Sequence, residues 1–251
     1  MLTRVSVACG LLFAVLGTPC PSVQAAEWGS IEGQFVLDGK AEPVPAIPLP
    51  AAAAACGVPS IADDSLVVNA ENSGIANVFI YLNKAPADIH PDLKAVPTAK
   101  HKSDQKNCVF LPHAMTLRVG QTVNCINSDA TSHNLHTNPV AGTAANNIIT
   151  ANDQVGQDLK FALTETLPVT VNCDVHSFMK CYWLVKDHPY VAVTDKDGKF
   201  KIDNLPVGEH TFRVWQERVG YVNREYKVKV VAGKNPTLAV EKIPAAKLAK
   251  K

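Results

Sequence analysis

Short stretches of alternating apolar and polar residues recur along the chain, and apolar residues at helical spacing are almost absent. Alternation with a period of two buries one face of a strand and leaves the other in solvent. The pattern predicts strands at SIEGQFVL (30–37), NVFIYL (77–82), AMTLRVG (114–120), TVNCIN (122–127), KFALTE (160–165) and PVTVNC (168–173). It continues with CYWLVK (181–186), YVAVTD (190–195), KFKIDN (199–204), EHTFRVWQ (209–216) and REYKVKVV (224–231). Asp197-Gly198 and Pro206-Val207-Gly208 read as tight turns. The expected fold class is all-β.

Three segments break the alternation. Residues 40–65 hold five prolines and the run AAAAAC, which predicts an irregular excursion rather than a helix. Residues 86–106 are polar and punctuated by prolines, as expected of a connection. Residues 137–158, rich in Asn and Gly, predict a long surface loop. No internal repeat is visible.

The distal third carries "VTDKDGKFKIDNLPVGEHTFRVW". It resembles the carboxypeptidase regulatory-like family, small transthyretin-like β-sandwiches with a TD-x-DG-x-F hairpin followed by an L-P-x-G turn. Thr194, Asp195, Asp197, Gly198, Phe200, Leu205, Pro206 and Gly208 supply those elements. "GSIEGQFVLDGK" and "GIANVFIYL" fit that family's opening strands, yet a long stretch separates them from Thr194. Insertion of a second domain into the first accounts for the gap, since domains accept insertions at exposed loop tips.

Composition narrows the function. The opening MLTRVSVACGLLFAVLGTPCPSVQA has a basic start, an apolar run and small residues before Ala25 and Ala26, the pattern of a secretory signal. The run falls short of the roughly 20 residues a spanning helix needs. We therefore expect export to the periplasm or beyond and no membrane span in the mature chain, a retained anchor being the alternative. Loss of Arg4 takes the formal charge from +1 to zero, which leaves no basic face for nucleic acid. Seven cysteines become five without Cys9 and Cys20. In an oxidising compartment thiols pair, so an odd count frees one for another task. If that one is Cys173, three pairings of Cys56, Cys108, Cys125 and Cys181 remain open, of which Cys56–Cys108 with Cys125–Cys181 is favoured.

The stretch "NCDVHSFMKC" (172–181) places Cys173, His176 and Met179 three apart. A thiol, an imidazole and a thioether are all potential soft-metal donors. Three donors on one loop leave the shell open, so a fourth must come from elsewhere in the fold. Upstream lies "GQTVNCINSDATSHNLHT" (120–137). Together the two stretches resemble the cupredoxins, the blue copper proteins, in the amicyanin and plastocyanin branch. Gly120, Gln121, Thr122, Val123 and Asn127 match that family's G-[DQ]-T-V-x-x-x-N strand. Ser132, His133, Asn134 and Leu135 match its P-H-N-V segment, with Ser in place of Pro. C-x-x-H-x-x-M is its short ligand loop.

The resemblance implies one type 1 copper ion held by His133, Cys173, His176 and Met179. His133 and His136 point to opposite faces of an extended segment, and the match selects His133. Asn134 corresponds to the asparagine that ties the histidine segment to the cysteine loop. The His176 edge is expected near the surface as an electron port. His90, His101, His113, His188 and His210 are expected in ordinary surface or turn roles.

The implied organisation is a signal peptide at 1–26, a split regulatory-like sandwich at 27–86 and 189–243, a cupredoxin-like Greek-key sandwich at 107–188 and a tail at 244–251. The implied function is single-electron transfer with a periplasmic redox protein, such as a cytochrome or a dehydrogenase. The alternative is copper storage or delivery, or a scaffold or adhesion protein whose regulatory-like part binds a partner or glycan. No second copper motif and no G-x-S-x-G, H-E-x-x-H or phosphate loop occurs. An enzyme is not expected.

Overall fold

The computed structural model describes residues 27–41, 44–234 and 237–249. The expected signal peptide therefore lies outside the described residues, as does the end of the tail. The fold is all-β, and among the described residues the only α-helix is the single turn Pro91–Lys94. No helix among them is long and apolar enough to cross a membrane.

Two pairs of sheets form. Trp28–Asp38 alternates buried and half-buried positions along its length, so every second side chain enters a core. It pairs antiparallel with Lys199–Pro206 and parallel with Glu241–Pro244. The facing sheet runs Val191–Val193, Phe79–Leu82, Gly208–Gln216, Gly220–Val230 in spatial order. Ile31, Phe35, Ile80, Phe212 and Val214 fill the space between them.

Segment 101–186 builds the other pair. One sheet runs Asn146–Ile149, His133–Asn138, Val169–Asn172, Lys180–Lys186, Ala114–Arg118, and the other Gln157–Lys160, Thr122–Asn127, His101–Lys106, Val109–Leu111. Phe110, Val123, Leu135, Val171 and Trp183 form its core, which also takes in Cys173 and Met179. This sandwich leaves the first after Phe79–Leu82 and returns at Val191–Val193, strands that are hydrogen-bonded neighbours.

A third apolar cluster, Phe79, Tyr81, Leu184 and Trp215, joins the two sandwiches. Lys186 is 1% exposed and spans the same boundary. Its Nζ donates to the Asn83 and Glu165 carbonyls at 2.9 and 3.0 Å and lies 5.6 Å from the Tyr81 ring centroid. A buried ammonium needs such acceptors to offset its desolvation.

Several expectations are corrected. KFALTE (160–165) is not a strand beyond Lys160, where the pairing strand Gln157–Lys160 ends. The expected connection 86–106 contains the strand His101–Lys106, whose inward residues Ser103 and Gln105 are polar. The expected loop 137–158 contains Asn146–Ile149. AAAAAC forms a 3₁₀ helix, Ala51–Cys56, closed by a left-handed Gly57 whose N–H donates to the Ala54 carbonyl. Cys56–Cys108 is a disulfide, but Cys125 and Cys181 are buried free thiols. Inside the core each packs as a small apolar side chain.

Candidate metal centre

The centre forms where the strand His133–Asn138 meets the 173–179 loop. Pairing of His136 with Asn172 sets the register and brings His133 toward Cys173. Alternation along the strand then turns His133 inward, 1% exposed, while His136 stays half-buried. The loop closes on itself. The Met179 N–H donates to the His176 carbonyl at 2.8 Å, and the Cys173 N–H donates to the Met179 carbonyl at 3.3 Å.

Ligand atoms of His133, Cys173 and His176 all lie within 4.8 Å of one another, and all three residues are buried. The nitrogens that converge are both Nδ1, at 2.9 Å, and Cys173 Sγ is 3.8 Å from His176 Nδ1. Met179 is 0% exposed and packs in the same core as Cys173.

Asn134 anchors the loop. Its Oδ1 accepts from the Asp174 N–H at 2.7 Å and from the Cys173 thiol at 3.2 Å, while its Nδ2 donates to Asp174 Oδ2 at 2.9 Å. His136 is drawn outward to the same carboxylate, with Nδ1 3.0 Å from Asp174 Oδ1.

One contributor was not singled out in the sequence. Asp129 is buried, and its Oδ2 lies 2.8 Å from His133 Nε2. It also accepts from the Asn107 and Cys108 N–H groups at 2.5 and 2.8 Å. Buried Asn127 fixes the turn that carries it, accepting from the Asp129 N–H at 2.9 Å and donating to three carbonyls, including Thr131 and Ile149. With Nε2–H given to Asp129, His133 Nδ1 carries the lone pair and faces the cluster. A carboxylate behind a ligating imidazole fixes its tautomer in this way. The only sequence signal was an acid four residues before the histidine.

The electrostatics set Cys173 apart. Burial pushes its thiol up, but the interaction with His133 and the backbone N–H groups of His176, Asn134 and Val175 outweigh this and hold it below 9.0. Burial pushes Cys125 up to about 12 and raises Cys181 well above its usual value. Thiolate is the ligating form, so of these three only Cys173 is primed to bind a soft metal. Burial opposes charge on His133, yet Cys173 and Asp129 raise its pKa above 6.5. Burial first, and then the charge of His133, lower that of His176. Two imidazoles, a thiol primed for ionisation and a thioether fit a type 1 copper ion.

His176 is 8% exposed, so little of its imidazole edge reaches solvent. Cys56 lies against it, and a cleft of about 250 Å³ runs from Phe178 and Ser177 to Ile47, Ile61, His113 and Glu217. Of the other histidines, His188 departs from the surface or turn role expected of it, because it is buried and bonded to backbone on both nitrogens. His113 Nε2 is 2.6 Å from Glu217 Oε1, His210 Nε2 donates to the Pro206 carbonyl, and His188 is wholly buried.

No family model matches the chain, and no curated protein matches it. Solved structures give partial likenesses. A reduced Cu(I) form of an amicyanin variant is 22% identical over 36% of this chain and 85% of that one, with a TM-score of 0.31. A purple cupredoxin from Nitrosopumilus maritimus is 18% identical over 34% and 98%, at 0.28. A copper-containing nitrite reductase from Thermus scotoductus SA-01 is 18% identical over 41% and 27%, at 0.29.

Proposed function

We propose that this protein is an exported type 1 copper protein that carries single electrons between periplasmic redox partners, a cytochrome or a dehydrogenase among them. The observation that carries this reading is the convergence of His133 Nδ1, His176 Nδ1 and Cys173 Sγ in one buried cluster next to Met179. Copper bound there supplies one-electron chemistry between Cu(II) and Cu(I).

The chain's own residues do the rest. Asp129 keeps a proton on His133 Nε2 and leaves Nδ1 free to donate. Asn134 Oδ1 holds Cys173 in place by accepting from its thiol, while His133 and the backbone N–H groups of His176, Asn134 and Val175 favour its ionised form. Met179 lies in the apolar core beside Cys173, and Phe178 packs against that core. These contacts come from separate strands of a packed sandwich, so the donors resist rearrangement when charge changes. That rigidity suits electron transfer. Four donors leave no place for substrate, and we therefore propose a carrier rather than an enzyme. In the same reading the split outer sandwich is a regulatory-like domain and 1–26 is a cleaved signal.

The packing of Cys56 beside His176 favours a second reading, copper storage or delivery, because a mostly buried imidazole is a poor electron port. One experiment tests both. The purified protein is loaded with Cu(II), and its visible and electron paramagnetic resonance spectra are recorded. Intense blue absorption with narrow copper hyperfine splitting supports the carrier, whereas a pale, ordinary Cu(II) spectrum supports storage. Cys173→Ala is expected to abolish the blue band; its survival would show that the thiolate assignment is wrong.

A further inference from the structure

The Cys56–Cys108 disulfide lies against the candidate metal centre. Cys108 Sγ is 3.9 Å from His133 Nε2, and ligand atoms of Cys56, Cys108 and His176 all lie within 4.8 Å of one another. Cys56 is 4% exposed and Cys108 0%. In the disulfide these sulfurs are spent on each other. As thiolates they are the strongest soft-metal donors a protein offers.

Neither cysteine depends on the sulfur bond alone for its place. The Cys108 backbone is held by its N–H donation to Asp129 at 2.8 Å and sits in a left-handed turn at φ 56. Cys56 ends the Ala51–Cys56 helix. That helix is braced by buried Ala53, by the Leu49 N–H donating to the Pro59 carbonyl at 3.0 Å, and by the Ile47–Pro48 pairing with Ser60–Ile61. Cutting the bond therefore leaves two thiols facing each other beside an imidazole.

We propose that reduced Cys56 and Cys108 form a second soft-metal site, beside His176, whose two thiolates take Cu(I) between them. The reductant is a dithiol. One of its thiolates attacks Cys56 Sγ, which neighbours the exposed Ala54 and Ala55. The protein S–S bond breaks, a mixed disulfide forms and Cys108 leaves as a thiolate that takes up a proton. The second reductant thiol then displaces Cys56. Two electrons have moved to the protein, and the reductant departs as its own disulfide. Cu(I) replaces the two thiol protons, which go to solvent; a disulfide oxidant that accepts two electrons and departs as its two thiols recloses the Cys56–Cys108 bond and expels the metal. Hard cations are excluded, because the site offers sulfur and nitrogen rather than oxygen. Asp129, the nearest carboxylate, is committed to His133 and two backbone amides.

The site stands on Cys56 and Cys108 rather than Cys173, so it goes beyond the type 1 reading without resting on it. The test uses the whole protein in oxidised form and after anaerobic reduction by a phosphine followed by desalting. Each form is titrated with Cu(I) against a chromophoric Cu(I) chelator. The reduced protein is expected to take one equivalent more than the oxidised protein, and reoxidation of the same sample is expected to release it. X-ray absorption at the copper edge should show more sulfur neighbours in the reduced, loaded protein. The double variant Cys56→Ser/Cys108→Ser should lack the extra equivalent. Equal stoichiometry before and after reduction overturns the proposal, as does an extra equivalent that survives the double variant. A blue Cu(II) band without the extra Cu(I) equivalent sinks this site and leaves the type 1 reading standing; the extra equivalent without the band does the reverse.

Discussion

His133 Nε2 and Asp129 Oδ2 lie 2.8 Å apart with both side chains buried. The contact turns a histidine with two equivalent nitrogens into one that presents Nδ1 alone to the cluster. Asp129→Asn keeps the shape but removes the charge that makes the imidazole a strong donor. We expect copper affinity to fall about 10- to 100-fold, as measured by chelator competition.

Glu165 is 0% exposed and accepts from the Val140, Ala141 and Gly142 N–H groups at 2.8 to 3.0 Å. Its carboxylate replaces water for three amides that have no strand partner. Glu165→Ala is expected to cost about 3 kcal/mol in urea unfolding, and Glu165→Gln less, since hydrogen bonds to a charged acceptor are the stronger kind.

His188 titrates against the fold. Burial, aided by Lys186, lowers its pKa from 6.5 to about 4, and its neutral ring donates to the Leu82 carbonyl and accepts from the Tyr190 N–H. The unfolded chain binds this proton first as pH falls. The stabilisation is therefore complete above pH 6.5 and is lost progressively toward pH 4, by about 3 kcal/mol in all. Urea unfolding from about pH 7.5 to 4 should show a shallower decline for His188→Gln than for the unaltered protein.

Gly198 has φ +73, and a Cβ there would lie 2.3 Å from the Phe35 carbonyl oxygen and 2.7 Å from the Ile75 nitrogen. The turn packs on backbone that cannot retreat. Gly198→Ala should destabilise the fold by about 2 kcal/mol or more in the same assay.

The strands that alternate apolar and polar residues were legible in the sequence, and Trp28–Asp38 follows that pattern closely, Thr122–Asn127 over its first four residues. His101–Lys106 was not, because Ser103 and Gln105 fill its inward positions and conceal the period. Cys173, His176 and Met179 were singled out because three donor types share one loop. Their meeting with His133 needed a match to a known pattern, since pairing between strands so distant in the chain leaves no local trace. Asp129 escaped notice for a related reason. An acid in a turn is common, and only the folded chain shows it buried behind an imidazole. Cys125 and Cys181 were expected to pair by counting, which cannot tell a bridged sulfur from one that serves as packing.

The chain departs for the inner sandwich and comes home on adjacent rungs of one ladder, Phe79–Leu82 beside Val191–Val193. Neither half can melt without tugging at the other's seam. A calorimeter should therefore record one heat-absorption peak, not two. Copper captured at the 173–179 loop should shift that whole peak upward, so the outer sandwich inherits heat resistance from an ion it never touches.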